Sequence, residues 1–131
     1  MKYWNEIEGS KFFNIVFSRN IPIGEIKLFA LNMDNNLSTL TLAFDIRETP
    51  DTPPKKWESI GYNACRIGLT CSEIRGLTTS NIPTQKNLHL SIQNIGDRYM
   101  ISAVSSTSNI TFTTSSLRLR EPSVYLTDLP F

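Results

Sequence analysis

The chain has 131 residues, 40% of them hydrophobic, and carries 13 basic against 12 acidic side chains. A chain of this length fits one domain with a continuous apolar core, so we expect a single domain over residues 1–131. The nearly neutral charge argues against the strong field that draws proteins to phosphate backbones or anionic membranes. Neither nucleic acid nor a membrane is therefore an expected partner.

The N-terminal segment carries carboxylates at Glu6 and Glu8, where a secretory signal needs an uninterrupted apolar stretch. We therefore expect a cytoplasmic protein. Cys65 and Cys71 lie in one predicted strand, which separates them by about 20 Å at a rise of about 3.3 Å per residue. A disulfide tolerates only about 7 Å between Cα atoms, so we expect two reduced thiols unless the strand breaks at Gly68.

A short helix is predicted from Lys11 to Phe17, with Ser10 as its N-cap and Phe13 and Val16 among its apolar positions. A strand is the alternative, because Phe, Ile and Val also favour sheets. The helix must end before Pro22, which restricts the backbone of the residue that precedes it.

From Gly24 to about Tyr125, apolar and polar residues alternate in short runs that turn residues separate. The first two runs, centred on Leu28 and Leu42, flank Asp34-Asn35-Asn36 and predict a hairpin. The first strand is apolar on both faces, so we expect the N-terminal helix to cover its second face.

Three prolines, Pro50, Pro53 and Pro54, predict a loop from roughly Glu48 to Ser59. We expect a third strand from about Tyr62 to Arg75 and then a second loop from Gly76 to Gln85. The remaining strands are predicted around Leu88 to Ile92, around Tyr99 to Ala103, and as one or two strands that contain Ile110, Phe112, Leu117 and Leu119.

The predicted fold class is mainly β (α+β): an antiparallel meander sheet of about six to seven strands with one short N-terminal helix. A single sheet capped by the helix, a flattened sandwich and a partial barrel all fit this pattern. Pro122 places the last strand at a sheet edge, where its missing N–H group does no harm. We interpret Arg118 and Arg120 as charges that protect this edge from unwanted pairing.

No recognisable catalytic centre emerges from the residue types. The single histidine, His89, alternates with polar residues and is predicted to face solvent without a nucleophile beside it. The cysteine and histidine spacing matches no common metal site, and the glycines form no nucleotide-binding loop. We predict no enzyme, no metal and no cofactor; an acid–base site would need carboxylates to converge around the proline loop, from Asp45, Glu48, Asp51 and Glu58.

Several short motifs occur in a characteristic order. They are Trp4-Asn5-Glu6-Ile7-Glu8-Gly9-Ser10, Phe17 shortly before Ile21-Pro22, an alternating hairpin, Pro53-Pro54-Lys55-Lys56-Trp57, and Asn63 leading into an apolar strand. In this order they resemble the bacterial immunity proteins of polymorphic toxin systems, specifically the immunity protein fifty family.

The resemblance implies a small cytoplasmic protein, encoded beside a toxin, that binds and neutralises that toxin. A rigid β face would occlude the toxin's active site or lock it in an inactive shape, with no catalysis. Inhibitors of nuclease toxins often carry strong negative charge that mimics nucleic acid. This chain is nearly neutral, so we do not infer a nuclease as the target. The matching positions are assigned to holding the fold: Trp4, Gly9, Pro54 and Trp57.

The hypothesis places toxin binding on charged side chains around the proline loop: Asp45, Arg47, Glu48, Asp51, Lys55, Lys56 and Glu58. Trp57 is either an interface anchor or a tether that pins the loop against the sheet, and we favour the tether. Edge strands also permit a homodimer by strand pairing. The alternative function is a small-ligand or carbohydrate-binding β domain that stacks sugars on Trp4, Trp57, Tyr62, Tyr99 and Tyr125.

Overall fold

The computed structural model describes residues 1–131 and consists mainly of eight antiparallel strands in one open sheet. The helix α1 (Lys11–Val16) precedes the sheet, and single 3₁₀ turns occur at Trp4–Glu6 and Lys55–Trp57. The strands are β1 (Glu25–Asp34), β2 (Thr39–Ile46), β3 (Ala64–Ser72), β4 (Arg75–Ser80), β5 (Asn87–Ile95), β6 (Arg98–Val104), β7 (Asn109–Thr114) and β8 (Ser116–Tyr125).

The strand order is β4-β7-β6-β5-β1-β2-β3-β8. This confirms the predicted mainly β, antiparallel class with one short helix, but the sheet contains two meanders, β1-β2-β3 and β5-β6-β7, instead of one. Residues 76–80 of β4 were predicted as loop; all six residues of β4 are exposed, so no buried alternation marks this strand in the sequence. It raises the strand count to eight.

A corner near Ser72 makes the sheet curve sharply. Only Glu73 and Ile74 separate β3 from β4, although these strands occupy the seventh and first positions of the sheet. The Ser72 carbonyl accepts hydrogen bonds from the Ser115 N–H at 3.0 Å and from the Thr114 hydroxyl at 2.5 Å. These bonds hold the β3–β8 and β4–β7 pairs together where the sheet bends.

One core of 24 buried residues fills the inner face of the curved sheet. α1 packs there through Phe13 and Val16, and the Trp4 ring lies 5.2 Å from the ring of Phe44 on β2. The prediction that the helix covers the second face of β1 was therefore wrong. β1 is apolar on both faces because a β-bulge between Leu28 and Ala30 shifts its alternation and turns the side chain between them outward.

The two cysteines lie on the inner face of β3, and both are buried and free. Burial raises the pKa of each thiol to about 12, so both are protonated at neutral pH. His89 is exposed on the outer face, as predicted, and β8 lies at a sheet edge with Pro122 inside it.

The N-terminal segment covers the free edge of β8. The Leu119 N–H donates a hydrogen bond of 2.7 Å to the carbonyl of Glu8. Gly9 follows with a φ of +90°, and a Cβ atom there would lie 2.7 Å from the Leu119 carbonyl oxygen. Only glycine permits both this backbone conformation and this close approach.

Both sheet edges carry a feature that hinders strand addition. Glu8 blocks β8, whereas β4 contains a bulge between Arg75 and Thr78 that interrupts its regular pairing. Bulges of this kind turn an edge strand away from a partner. The edge-paired homodimer stays a prediction, and neither edge favours it.

We expect Gly9→Ala to destabilise the protein more than Gly61→Ala. Both glycines have positive φ, so each alanine carries a strain of about 1–2 kcal/mol. Only at Gly9 does the added methyl group meet a backbone oxygen, which adds a cost of about 1–3 kcal/mol, whereas the space at Gly61 is open. Urea unfolding measures both variants, and equal losses would show that the close approach of Gly9 to β8 is unimportant.

Candidate functional site

The outer face of β1, β2, β3 and β8 is the candidate site, because α1 lies on the opposite, inner face. Strand register sets its side chains in lateral rows. In strand order these rows are Lys27, Asp45, Arg66 and Ser123, then Ala30, Ala43, Gly68 and Arg120, and then Asn32, Thr41, Thr70 and Arg118.

An exposed aromatic ring stands on the β1 side of this face. Phe29 is the side chain that the β1 bulge turns outward, and it is 63% exposed. The Arg66 guanidinium lies 3.7 Å from the centre of the Phe29 ring and 4.7 Å from that of Tyr125. A cation held between two rings in this way gains a favourable interaction with each. We call Phe29, Arg66, Tyr125 and Asp45 the arginine cluster.

Asp45 fixes the position of the arginine. This carboxylate is only 8% exposed, and it accepts a hydrogen bond of 2.8 Å from Arg66 Nε and another from the Tyr125 hydroxyl. Arg66 Nη2 in turn donates to the Tyr125 hydroxyl oxygen at 2.9 Å. Each polar group of the cluster therefore has a partner, and a paired buried charge holds its surroundings rigid.

The stack of Arg66 on Phe29 forms a ridge between two depressions. The first has a volume of about 190 Å³. The second has a volume of about 300 Å³. Both are bordered by Phe29 and Arg66; Lys27, Asp45, Gln85 and Tyr125 belong to the first, and Ala30, Ala43, Arg120 and Glu121 to the second.

Ala30 and Ala43 line the second depression, and Gly68 lies next to Ala43 in the same lateral row. A Cβ atom on Gly68 would lie 2.5 Å from the Leu42 carbonyl oxygen and 3.0 Å from Cδ of Arg120. The aliphatic part of the Arg120 side chain thus lies directly over Gly68. Its guanidinium has no hydrogen bond and no ion pair in the structure.

The C-terminal segment crosses one end of the outer face. Asn63 anchors it through two hydrogen bonds with the Thr127 backbone, at 2.9 and 3.0 Å. Lys27 donates to the Pro130 carbonyl at 3.5 Å, and the Phe131 ring lies below the cations of Lys27 and Arg47. The Lys27 cation is therefore already engaged within the chain.

The charged residues predicted for toxin binding around the proline loop differ in exposure and in their partners. Asp45 is buried in the arginine cluster, so its carboxylate is not exposed. Arg47 pairs with Glu25 at 2.6 Å, and this bond, followed by one from Asn87, lowers the pKa of Glu25.

Asp51, another residue predicted for toxin binding, holds the end of α1. Asp51 accepts hydrogen bonds from the hydroxyl and the N–H of Ser18, and these bonds lower the pKa of Asp51. Arg19 lies 3.5 Å from the same carboxylate. Of the remaining residues, Glu48 is half-buried, whereas Lys55, Lys56 and Glu58 are exposed and form no ion pair.

The four residues assigned to holding the fold lie in the core, at the edge of β8 or in the proline loop. Trp4 is 1% exposed, and Gly9 contacts the edge of β8. Pro54 immediately precedes the 3₁₀ turn that contains Trp57. The half-buried Trp57 ring packs edge-on against Phe12 of α1 at 5.6 Å and borders the core, so it tethers the proline loop to the helix.

The structure gives little geometric support for the other chemistries considered, which are sugar stacking, metal binding and catalysis by His89. Of the five rings considered for sugar stacking, Trp4 is buried and the others are half-buried, so they offer no exposed platform. No three His, Cys, Asp or Glu side chains come together. His89 pairs in register with Glu25, whose carboxylate is already bound by Arg47 and Asn87. The one helix, α1, is too short to cross a membrane.

Tyr125 provides a spectroscopic test of the arginine cluster. Burial, then the hydrogen bond to Asp45 and its charge, raise the pKa of Tyr125 to about 12. The stability that this contributes is complete below pH 10, the ordinary pKa of tyrosine, and is lost as the pH rises toward 12.

We expect Asp45→Asn to lower the pKa of Tyr125 clearly below 12, because the carboxylate is gone while Arg66 remains. NMR titration of ring-labelled tyrosine measures this pKa, and Tyr125→Phe identifies the signal. An unchanged pKa in Asp45→Asn would show that Asp45 does not bind the Tyr125 hydroxyl in solution.

A comparison with protein-family models gives one finding, a match of residues 9–125 to the model described as immunity protein 50. Comparisons with curated proteins and with solved structures yield no significant match. The matched region includes every strand of the sheet and the whole arginine cluster. Since the match spans most of the chain, the protein belongs to the immunity protein 50 family.

Proposed function

We propose that this protein binds a cognate toxin protein in the cytoplasm and neutralises it by steric occlusion, without catalysing a reaction. The family assignment supports an immunity role. The observation that carries the choice of surface is the exposed Phe29 ring, stacked on an arginine that Asp45 and Tyr125 hold in place. We assign toxin binding to this outer face.

The composition of the arginine cluster suits a binding hot spot. Tyrosine and arginine are enriched among the residues that contribute most to protein–protein affinity, and such residues lie centrally in an interface. The cluster spans all four strands near one end of this surface, and its side chains are fixed before any partner arrives. Such preorganisation lowers the entropy lost on binding.

A rigid sheet face also suits occlusion. Stable protein complexes cover about 800 Å² on each partner, which the outward rows of four strands can supply. The chain offers no strong field of either sign, with a net charge of +1. Complementary shape and a few fixed anchors would therefore contribute most of the affinity, and electrostatic steering less.

We expect Phe29→Ala to weaken toxin binding by about 30-fold or more, the loss typical of a hot-spot aromatic residue. The test uses the toxin domain encoded beside this gene, with affinity measured by calorimetry and protection measured by growth during co-expression. The matched control is Leu37→Ala, which removes an equally exposed apolar side chain from the β1–β2 turn. If Phe29→Ala binds as tightly as Leu37→Ala, the outer face is not the toxin-binding surface.

The proline loop is tested separately by the triple charge reversal Lys55→Glu, Lys56→Glu and Glu58→Lys. These side chains are exposed and unpaired, so the variant should fold normally. We expect its affinity for the same toxin to change by less than about fivefold, the effect of peripheral charges. A loss of 100-fold or more, with an unchanged unfolding midpoint, would place the interface on the loop instead.

A further inference from the structure

The second depression of the outer face indicates what chemistry the partner brings. This inference rests on the proposed function, since it concerns the toxin that the outer face binds. We propose that an acidic residue of the toxin places its carboxylate between Arg66 and Arg120, while an apolar neighbour of that residue packs on Phe29.

Arg66 has unused N–H donors that are available to bind such a carboxylate. A guanidinium carries five N–H groups, and the structure uses one on Nε for Asp45 and one on Nη2 for Tyr125. Its side chain is 28% exposed, so part of it remains accessible beside the depression. Because Asp45 and two rings already fix its orientation, little entropy is lost when the remaining donors bind.

Arg120 supplies the second cation. Its side chain lies over Gly68, where the absence of a Cβ atom leaves room for it, and its guanidinium has no partner within the chain. Ala43 and Gly68 are adjacent to it in the same lateral row, and Arg66 and Arg120 border the same depression. An arginine without a partner at an interface favours a carboxylate, which it binds through paired hydrogen bonds.

The unused donors around the depression, and not its net charge, favour a carboxylate. Its border carries Arg66, Arg120 and Glu121, and Asp45 pairs with Arg66, so the formal charges balance, but Arg66 keeps unused N–H groups and Arg120 has no partner within the chain. Lys27 lies in the other depression, where the C-terminal segment engages it. The complementary surface is thus a carboxylate flanked by an apolar side chain, since Phe29 stands on the same border.

The test compares Arg120→Glu with Arg75→Glu in binding to the purified toxin domain encoded beside this gene. The two variants change the net charge equally, and each alters an exposed strand arginine without an ion pair, but Arg75 lies on β4. We expect Arg120→Glu to weaken binding by 100-fold or more and Arg75→Glu by less than about fivefold. Arg66→Lys, which keeps the charge and loses the paired donors, should weaken binding by about tenfold or more.

Substitution of each acidic toxin residue in turn by its amide identifies the carboxylate. One such substitution should weaken binding to the unaltered protein and cause no further loss in Arg120→Glu, as a double-mutant cycle shows for a directly interacting pair. If Arg120→Glu binds normally, or if no acidic toxin residue couples to Arg120, the inference is overturned while the proposed function stands. If the unaltered protein does not bind the toxin, the proposed function itself fails.

Discussion

The pairing of Arg66 with the nearly buried carboxylate of Asp45 determines how the outer face is presented. A carboxylate with little access to water needs hydrogen-bond partners, and here Arg66 and Tyr125 provide them. Arg66 is consequently held in place, and its guanidinium contacts the Phe29 ring. An exposed aromatic ring is normally mobile, but this one rests on a charge that the sheet itself holds in place.

The arginine cluster depends in turn on strand register, which the rest of the fold fixes. Lys27, Asp45 and Arg66 share one lateral row only because β1, β2 and β3 pair in the observed alignment. A shift by one residue would turn every side chain to the other face and bury the charges in the core. The apolar residues of the inner face, the corner at Ser72 and the close contact of Gly9 with β8 all oppose such a shift.

Much of the fold could be predicted from the sequence because buried strands alternate visibly, as β3 does through Cys65 and Cys71. β4 could not, since a strand exposed on all its residues leaves no apolar pattern. Asp45 alone of the arginine cluster was predicted for toxin binding, grouped with the proline loop, and Tyr125 was named only for the alternative of sugar stacking. Phe29, Arg66 and Tyr125 are far apart in sequence, and only strand pairing unites them; the one local signal was Phe29, which interrupts the alternation of β1.

The distribution of structural and binding roles follows from where each side chain finds its partners. Trp4 and Trp57 are the largest rings in the chain, yet they pack against Phe44 and Phe12 and so stabilise the N-terminal segment and the proline loop. Phe29 has a partner on one side only, and Arg120 has none. Aromatic and cationic groups left with unused binding capacity on a rigid surface can gain contacts without breaking any in the fold. The proposed inhibition by fitting against a target, without catalysis, requires a surface of this kind.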